Sequence, residues 1–138
     1  MKRCVIITGG TLDLDFAGNF LKNHSFEKVI AVDAGLKQAE ALGVTPDLIV
    51  GDFDTVDPEV LARFRAMEHM MWDVHQPEKD ETDTELALRK AMALGCEEIA
   101  VLGATGGRAD HMMGNVQLLF QCLQKGVFAY LADPQNKI

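Results

Sequence analysis

The sequence predicts an α/β fold of three layers, αβα, around a mostly parallel sheet of about six strands. Six short, apolar, β-rich runs recur along the chain, and most of the segments between them have helical periodicity. The runs are continuously hydrophobic, which is typical of a parallel sheet covered by helices on both faces. The six predicted strands are Cys4–Thr8, Lys28–Val32, Leu48–Val50, Met71–His75, Glu98–Leu102 and Val127–Leu131.

Four apolar stripes with helical spacing lie between these strands and predict helices that pack on the sheet. We expect the side chains of all four stripes to lie in the core. Their methionines are interpreted as ordinary core residues, because the flexible thioether adapts to irregular packing. The stripes are Leu36, Ala39 and Leu42; Val60, Leu61, Phe64 and Met67; Leu86, Leu88, Ala91, Met92 and Leu94; and Met112, Val116, Leu119, Phe120 and Leu123.

The length of 138 residues, 48% of them hydrophobic, suffices for one core and is too short for two ordinary domains. We expect one domain over residues 1–132, with residues 133–138 beginning a linker. The net charge of −8 is offset by no basic patch, which argues against nucleic acid or an anionic membrane as the partner. No signal peptide follows Met1, and no apolar run approaches the ~18 residues of a membrane span. We therefore expect a cytoplasmic location.

Three cysteines, Cys4, Cys96 and Cys122, are widely spaced and have apolar neighbours. Their spacing contains neither a Cys-X-X-Cys metal motif nor a disulfide framework. We expect all three to be buried thiols in a reducing compartment.

Carboxylates follow the second and third predicted strands, at the positions where parallel sheets bind ligands. Asp33 follows the second strand, and taken alone it is best explained as the cap of the next helix. Asp52 and Asp54 follow the third strand, and on an extended segment both side chains point to one side. Two carboxylates about 4 Å apart repel each other by roughly 4 kcal/mol at an effective dielectric constant near 20. Such a pair needs a cation, a proton or solvent between the two groups. Their oxygens suit Mg²⁺; the alternative is a solvated acidic loop.

Further polar residues follow the fourth strand. Thr82 and Glu85 have the spacing of a capping box, which places Asp83 in the first helical turn, where the helix dipole favours a negative charge. Lys79 and Asp80 precede this cap, and we expect them to project toward the same edge as the aspartates of the third strand. Lys79 could form an ion pair there or contact a phosphate oxygen.

A glycine-rich loop follows the fifth strand. Gly103, Gly106 and Gly107 allow a tight turn whose N–H groups can bind an anion, and Arg108 adds a planar cation beside them. The loop matches neither a Walker A motif nor Gly-X-Gly-X-X-Gly, so by itself it indicates only a phosphate or ribose site.

The helix after this loop begins near Asp110. His111 and Asn115 lie four residues apart on it and share a face near the loop, although His111 could equally be structural. Together the strand ends gather carboxylates and two cations at one edge, which indicates metal-assisted phosphate chemistry. The set is Asp33, Asp52, Asp54, Asp80, Asp83 and Asp110, with Lys79 and Arg108.

Four motifs, VDAG, TPDLIVGDFDT, KDETDTELAL and GATGGRADHMMGN, resemble in this order the catalytic domain of the thiamine pyrophosphokinase family. The resemblance runs from about Ile30 to Asn115, with Ala34 where the family often has a second glycine. It implies a Rossmann-like catalytic domain followed by a β-sandwich domain that these 138 residues lack. It also implies a homodimer in which thiamine lies between the catalytic domain of one subunit and the β domain of the other.

The resemblance further implies an activity, the transfer of pyrophosphate from Mg-ATP to the thiamine hydroxyl, giving thiamine diphosphate and AMP. Mg²⁺ would be bound by Asp52, Asp54 and Asp80. The catalytic residues would be these three together with Asp83 and Arg108. The fragment alone would be inactive, because half of the thiamine pocket lies on the absent domain. The residues around nucleotide and substrate would be Asp33, Lys79, Thr82, Gly103, Thr105, Gly106, Gly107, Arg108, Asp110, His111 and Asn115.

Two other functions fit the same residues. One is a different Mg²⁺-dependent phospho- or nucleotidyltransferase, and the other is a non-catalytic nucleotide-binding domain. The number of carboxylates argues against the second, because nucleotide binding alone works well with glycine N–H groups and one or two cations. The spacing does not assign the aspartate that would orient the thiamine hydroxyl.

Overall fold

The computed structural model describes residues 2–9, 12–33, 35–51, 58–65, 71–74, 83–103 and 109–134, with the backbone alone at 71–74, 83 and 109–113. In these ranges strands and helices alternate. The strands are β1 Arg3–Ile7, β2 Lys28–Val32, β3 Leu48–Gly51, β4 Met71–Val74, β5 Glu98–Leu102 and β6 Phe128–Ala132. The helices are α1 Leu14–Asn23, α2 Gly35–Leu42, α3 Pro58–Arg65, α4 Asp83–Ala93 and α5 Ala109–Gln124.

The six strands form one sheet in the order β4-β3-β2-β1-β5-β6, and every neighbouring pair is parallel. On β1, Ile6 is in register with Ile30 of β2 on one side and Val101 of β5 on the other. The predicted six-stranded parallel sheet is therefore confirmed. The chain adds β2, β3 and β4 on one side of β1 and then β5 and β6 on the other. The strand order thus reverses between β1 and β5, which is where open α/β sheets bind ligands.

Both faces of the sheet are buried, and this accounts for the continuously apolar strands. Along β1, Cys4 and Ile6 belong to the core cluster under α4 and α5, whereas Val5 and Ile7 belong to the opposite cluster, which α1 and α2 cover. The buried side chains of β1 therefore meet a helical layer on either face of the sheet. The predicted αβα layering is confirmed.

Three of the four predicted stripes lie in the core or at its margin. The members that are half-buried at the margin of the core are Leu42, Leu61, Leu86, Met92 and Leu94. Met67 and the side chain of Met112 lie outside the described residues. The members that are fully buried are Leu36, Ala39, Val60, Phe64, Leu88 and Ala91.

For the stripe on α5, the prediction that all its side chains lie in the core is wrong. Phe120 and Leu123 are each 62% exposed and Val116 is 37% exposed. Leu119 of the same stripe packs against the core as predicted, and the buried face of α5 passes through Leu118 and Cys122. The apolar side chains of α5 cover about 200° of its circumference at ~100° per residue. The sheet and α4 cover only part of that arc.

The cysteines also differ from expectation. Cys4 and Cys96 form a disulfide with Cα atoms 6.0 Å apart, so the prediction of free thiols is wrong for this pair. Because the two cysteines are 92 residues apart in sequence, their spacing does not indicate that they are close in space. They are close because β1 and β5 are neighbouring strands. Cys122 is free and buried as predicted, and burial raises the pKa of its thiol. Among the described residues, no helix combines the length and apolar character needed to cross a membrane.

Candidate functional site

The carboxyl ends of the parallel strands lie at one edge of the sheet, called the carboxyl edge below. Asp33 directly follows β2 there, Gly51 ends β3, and Gly103 directly follows β5. In a parallel sheet joined by helices, the helix N-termini lie at this edge as well. The structure therefore places Asp33 and Gly103, two of the sequence-selected residues, on the side of the sheet where they were expected.

Asp33 occupies a constrained turn between β2 and α2. Its φ of 48° is in the left-handed region, which aspartate tolerates better than most residues. The N–H of Asp33 donates to the carbonyl of Val50 at 2.9 Å, and its carbonyl accepts from the N–H of Leu36 at 3.1 Å. The backbone of Asp33 is therefore tied both to the end of β3 and to the first turn of α2.

The carboxylate of Asp33 lies against Gly51. A Cβ built on Gly51 would come within 1.9 Å of Asp33 Oδ1, and the φ of Gly51 is +139°, a value suited to glycine. In the sequence the next residue is Asp52. The Asp33 side chain is thus directed to the end of β3.

A second close approach explains the glycine of the VDAG motif. A Cβ on Gly35 would lie 2.0 Å from the carbonyl oxygen of Ile7, at the end of β1. Any side chain at position 35 would push α2 away from β1. Gly35 and Gly51 together allow the ends of β1, β2 and β3 to pack closely, which is a physical reason for glycine in two of the motifs.

Thr8, which the sequence interpretation treated only as the end of a strand, lies at the strand-order reversal. It is 7% exposed, and both its hydroxyl, at 2.9 Å, and its N–H, at 3.0 Å, donate to the carbonyl of Leu102. These two bonds join the ends of β1 and β5 beside Gly103, which has a φ of +81°. The available signal was the Thr8–Thr11 segment, TGGT, another glycine pair directly after a strand.

The N-termini of α4 and α5 contribute further predicted residues to the carboxyl edge. Asp83 is the first residue of α4, and Asp110 and His111 lie in the first turn of α5. Asn115 lies about one turn further along and is half-buried. Because a helix N-terminus favours negative charge, these starts suit an acidic side chain or a bound anion.

The predicted metal and phosphate ligands fall mostly between the described segments, so their positions stay predictions. Within the described ranges, no group of three or more His, Cys, Asp or Glu side chains is arranged to hold a metal ion. The predicted residues outside those ranges are Asp52, Asp54, Lys79, Asp80, Thr82, Thr105, Gly106, Gly107 and Arg108.

Comparison with known sequences gives a consistent result. Residues 19–131 match the family described as "Thiamin pyrophosphokinase, catalytic domain". Thiamine pyrophosphokinase of Bacillus subtilis (strain 168) is 36% identical over 140 residues, which cover 100% of this chain and 64% of that protein. Thiamine pyrophosphokinase 1 of Oryza sativa subsp. japonica is 37% identical over 86 residues, 55% of this chain and 31% of the rice protein.

Solved structures show the same similarity. The crystal structure of thiamine pyrophosphokinase from Bacillus subtilis superimposes with a TM-score of 0.82 and 31% identity, covering 96% of this chain and 61% of that one. Thiamin pyrophosphokinase from Geobacillus thermodenitrificans gives 0.75 and 31%, covering 95% and 59%. The chain thus spans less than two thirds of the length of these relatives.

Proposed function

The chain belongs to the thiamin pyrophosphokinase family, and from this premise we propose that it is the part of such an enzyme that binds Mg-ATP. The proposed reaction moves pyrophosphate from ATP to the hydroxyl of thiamine and releases AMP. Residues 1–132 would form the nucleotide-binding unit. The thiamine pocket would be completed by further polypeptide and a second subunit, in a cytoplasmic homodimer.

The observation that supports this proposal best is the position of Gly103 and of the start of α5 beside the strand-order reversal. In the sequence, Arg108 lies between Gly103, which is beside Thr8, and Ala109, the first residue of α5. Loop N–H groups and a helix N-terminus together favour phosphate binding. The ends of β5 and β3 are three strand spacings apart, about 14 Å. A nucleotide bound at the β5 loop would therefore extend across β1 and β2 toward β3.

At β3 the proposal depends on Asp33 and its neighbours in sequence. The Asp33 carboxylate lies over Gly51, and Asp52 and Asp54 follow at once. Carboxylate oxygens fit a hard divalent cation such as Mg²⁺. We propose that Asp52, Asp54 and Asp80 hold this ion, which would neutralise charge on the transferred phosphates when bound. Asp33 would add negative charge at a fixed position next to it.

The proposed chemistry requires little covalent work from the protein. The thiamine hydroxyl attacks the β-phosphorus, the bond to the α-phosphate oxygen breaks, and AMP leaves, so positioning and charge neutralisation account for most of the rate. Arg108 would contact the phosphates with its planar guanidinium, and Lys79 would add a second cation. One of the aspartates would orient the hydroxyl and accept its proton.

Two measurements test the proposal. Calorimetry on the 138-residue chain with a non-hydrolysable ATP analogue should show binding only with Mg²⁺, because without the cation the aspartates repel the phosphates. The complete gene product should release AMP only when thiamine and Mg-ATP are both present. AMP release or phosphoryl transfer that is indifferent to thiamine would instead favour another transferase, and nucleotide binding without turnover would favour a binding domain.

A further inference from the structure

Thr8 directly follows β1 and lies between the two halves of the carboxyl edge. On one side of β1 is β5, whose last residue is Leu102, and on the other side is β2, which leads into α2. Thr8 is 7% exposed. Because a buried hydroxyl is hydrogen-bonded within the protein, the partner of this one shows what the side chain does.

Two donors of Thr8 hold the last carbonyl of β5. The hydroxyl donates to the carbonyl oxygen of Leu102 at 2.9 Å, and the N–H donates to the same oxygen at 3.0 Å. That oxygen belongs to the planar peptide group that joins Leu102 to Gly103, so the two bonds fix the plane from which the chain leaves β5. Gly103 then turns with a φ of +81°, in the region that favours glycine. The hydroxyl of Thr8 therefore helps to set how the glycine-rich segment begins.

The other side of the Thr8 backbone packs against the start of α2. A Cβ built on Gly35 would lie 2.0 Å from the carbonyl oxygen of Ile7 and 3.1 Å from the carbonyl carbon of Thr8. Gly35 follows Asp33 by two residues, and the Asp33 carboxylate lies over Gly51 at the end of β3. One set of contacts therefore runs from β5 through β1 and α2 to β3, and Thr8 is its member at the strand-order reversal.

We propose that Thr8 is a positioning residue that holds the end of β5 at a fixed place relative to the Asp33 carboxylate at β3. This inference rests on the proposed function, in which phosphates bind near Gly103 and a divalent cation binds near Asp33. A Mg-nucleotide must reach both places at once, so a shift of the β5 end relative to β1 weakens its binding. Thr8 acts through Leu102 and not by contacting the nucleotide, because its hydroxyl is buried and already donates to a carbonyl.

Thr8→Val tests this role. Valine keeps the branched shape of threonine, but a methyl carbon cannot lie 2.9 Å from the Leu102 oxygen without pushing the ends of β1 and β5 apart. We expect the affinity of the 138-residue chain for a non-hydrolysable Mg-ATP analogue to fall about 3–10-fold, the equivalent of one buried hydrogen bond. Thr8→Ser keeps the hydroxyl and should therefore bind within about twofold of the wild-type chain. Calorimetry measures all three affinities.

Ile6→Val is the matched control, which separates positioning from a general loss of stability. Ile6 lies two residues earlier on β1 and is fully buried, so removing one carbon there should destabilise the fold about as much as losing the Thr8 hydrogen bond. The control leaves the Thr8 hydroxyl in place and should leave the nucleotide affinity unchanged. Urea denaturation shows whether Ile6→Val and Thr8→Val are equally stable.

The carbonyl carbon of Leu102 gives a readout that needs no ligand. Its NMR chemical shift depends on the hydrogen bonds that its oxygen accepts, so it should change in Thr8→Val and stay nearly constant in Thr8→Ser and Ile6→Val. An unchanged shift in Thr8→Val would overturn the inference, because the hydroxyl would then not be bonded to this carbonyl.

The affinities distinguish failure of this inference from failure of the proposed function. Wild-type affinity in Thr8→Val, an equal loss in Ile6→Val, or a loss in Thr8→Ser as large as in Thr8→Val would overturn the role of Thr8 and leave the proposed function standing. A wild-type chain that binds no Mg-nucleotide would overturn the proposed function, and the role of Thr8 would be refuted with it.

Discussion

The carboxylate of Asp33 lies directly over Gly51, so that the end of β2 and the end of β3 share one packed contact at the carboxyl edge. The backbone N–H of Asp33 also donates to the carbonyl of Val50 at 2.9 Å. Two motifs that are separate in sequence are thereby joined through one aspartate and one glycine. The contact fixes the carboxylate next to the position at which the chain continues to Asp52 and Asp54.

Replacing Gly51 with alanine tests this contact. The new Cβ would meet Asp33 Oδ1 at 1.9 Å, and the φ of +139° is strained for any L-residue with a side chain. We expect Gly51→Ala to lower the free energy of unfolding by about 1–3 kcal/mol from backbone strain alone, and to displace the Asp33 carboxylate. Urea denaturation measures the stability, and titration with a Mg-nucleotide measures the effect on binding.

The matched control for this variant is Gly18→Ala in α1. Gly18 is helical, and a Cβ there would meet nothing within 4 Å. Alanine in an open helical position should raise the free energy of unfolding by about 0.5–1 kcal/mol and leave nucleotide binding unchanged. If Gly51→Ala is as stable as the wild-type chain, the described approach of Asp33 to β3 is incorrect.

Asp33→Asn tests whether the carboxylate serves the proposed cation. The amide keeps the size of the side chain and removes its charge, so the fold should be retained. We expect Mg²⁺-dependent nucleotide affinity to fall about 10–100-fold, the range typical of groups that support metal ligands. Calorimetry at several Mg²⁺ concentrations gives the value. The control is Glu97→Gln, an exposed residue just before β5 at the opposite edge of the sheet; an equal loss there would mean that only overall charge matters.

How much of this structure the sequence predicts depends on whether each feature is set by residues that are close together in the chain. The strands and three of the helical stripes follow from runs of a few residues, because both faces of a parallel sheet are covered and its strands are apolar throughout. Which strands lie beside β1 in the sheet is not set by residues close to β1 in the chain. Only the strand order brings Thr8 to the carbonyl of Leu102 and Cys4 to Cys96, and no run of adjacent residues encodes either contact.

The wrong prediction on α5 has the same origin. A helical stripe indicates that an apolar surface exists, and it does not indicate how much of that surface other elements cover. Because β6 is the last strand of the sheet, the helix above it has, among the residues that the structure describes, a neighbouring helix on one flank only. Phe120 and Leu123 satisfy the core pattern and still lie outside the core.

Asp52→Asn and Asp54→Asn test the proposed metal ligands in the complete gene product. Each should lower thiamine-dependent turnover by at least about 100-fold at limiting Mg²⁺, since loss of a direct ligand should exceed the loss of a supporting group. Each should leave the metal-free fold intact or slightly more stable, because removing one charge relieves repulsion between the two carboxylates. Wild-type turnover at limiting Mg²⁺ in either variant would refute the metal assignment.

The disulfide between Cys4 and Cys96 gives a prediction that does not depend on activity. Both side chains are buried, at 0% and 2% exposure, and their Cα separation of 6.0 Å suits a disulfide. In urea without reductant, an alkylating reagent should modify only Cys122, whereas after reduction it should modify all three cysteines. Mass spectrometry distinguishes one added group from three.

Reduction should also destabilise the fold, because the disulfide closes a loop of 92 residues and restricts the unfolded chain. The chain-entropy model sets the loss at about 4.5 kcal/mol of unfolding free energy, and native-state relaxation would reduce it. Urea denaturation with and without reductant measures the difference. Cys96→Ala should abolish the dependence on reductant, whereas Cys122→Ala should retain it, since Cys122 is a free thiol in the same core cluster. Three alkylations in unreduced, unfolded protein would show that the two sulfurs are not bonded, and stability should then be insensitive to reductant.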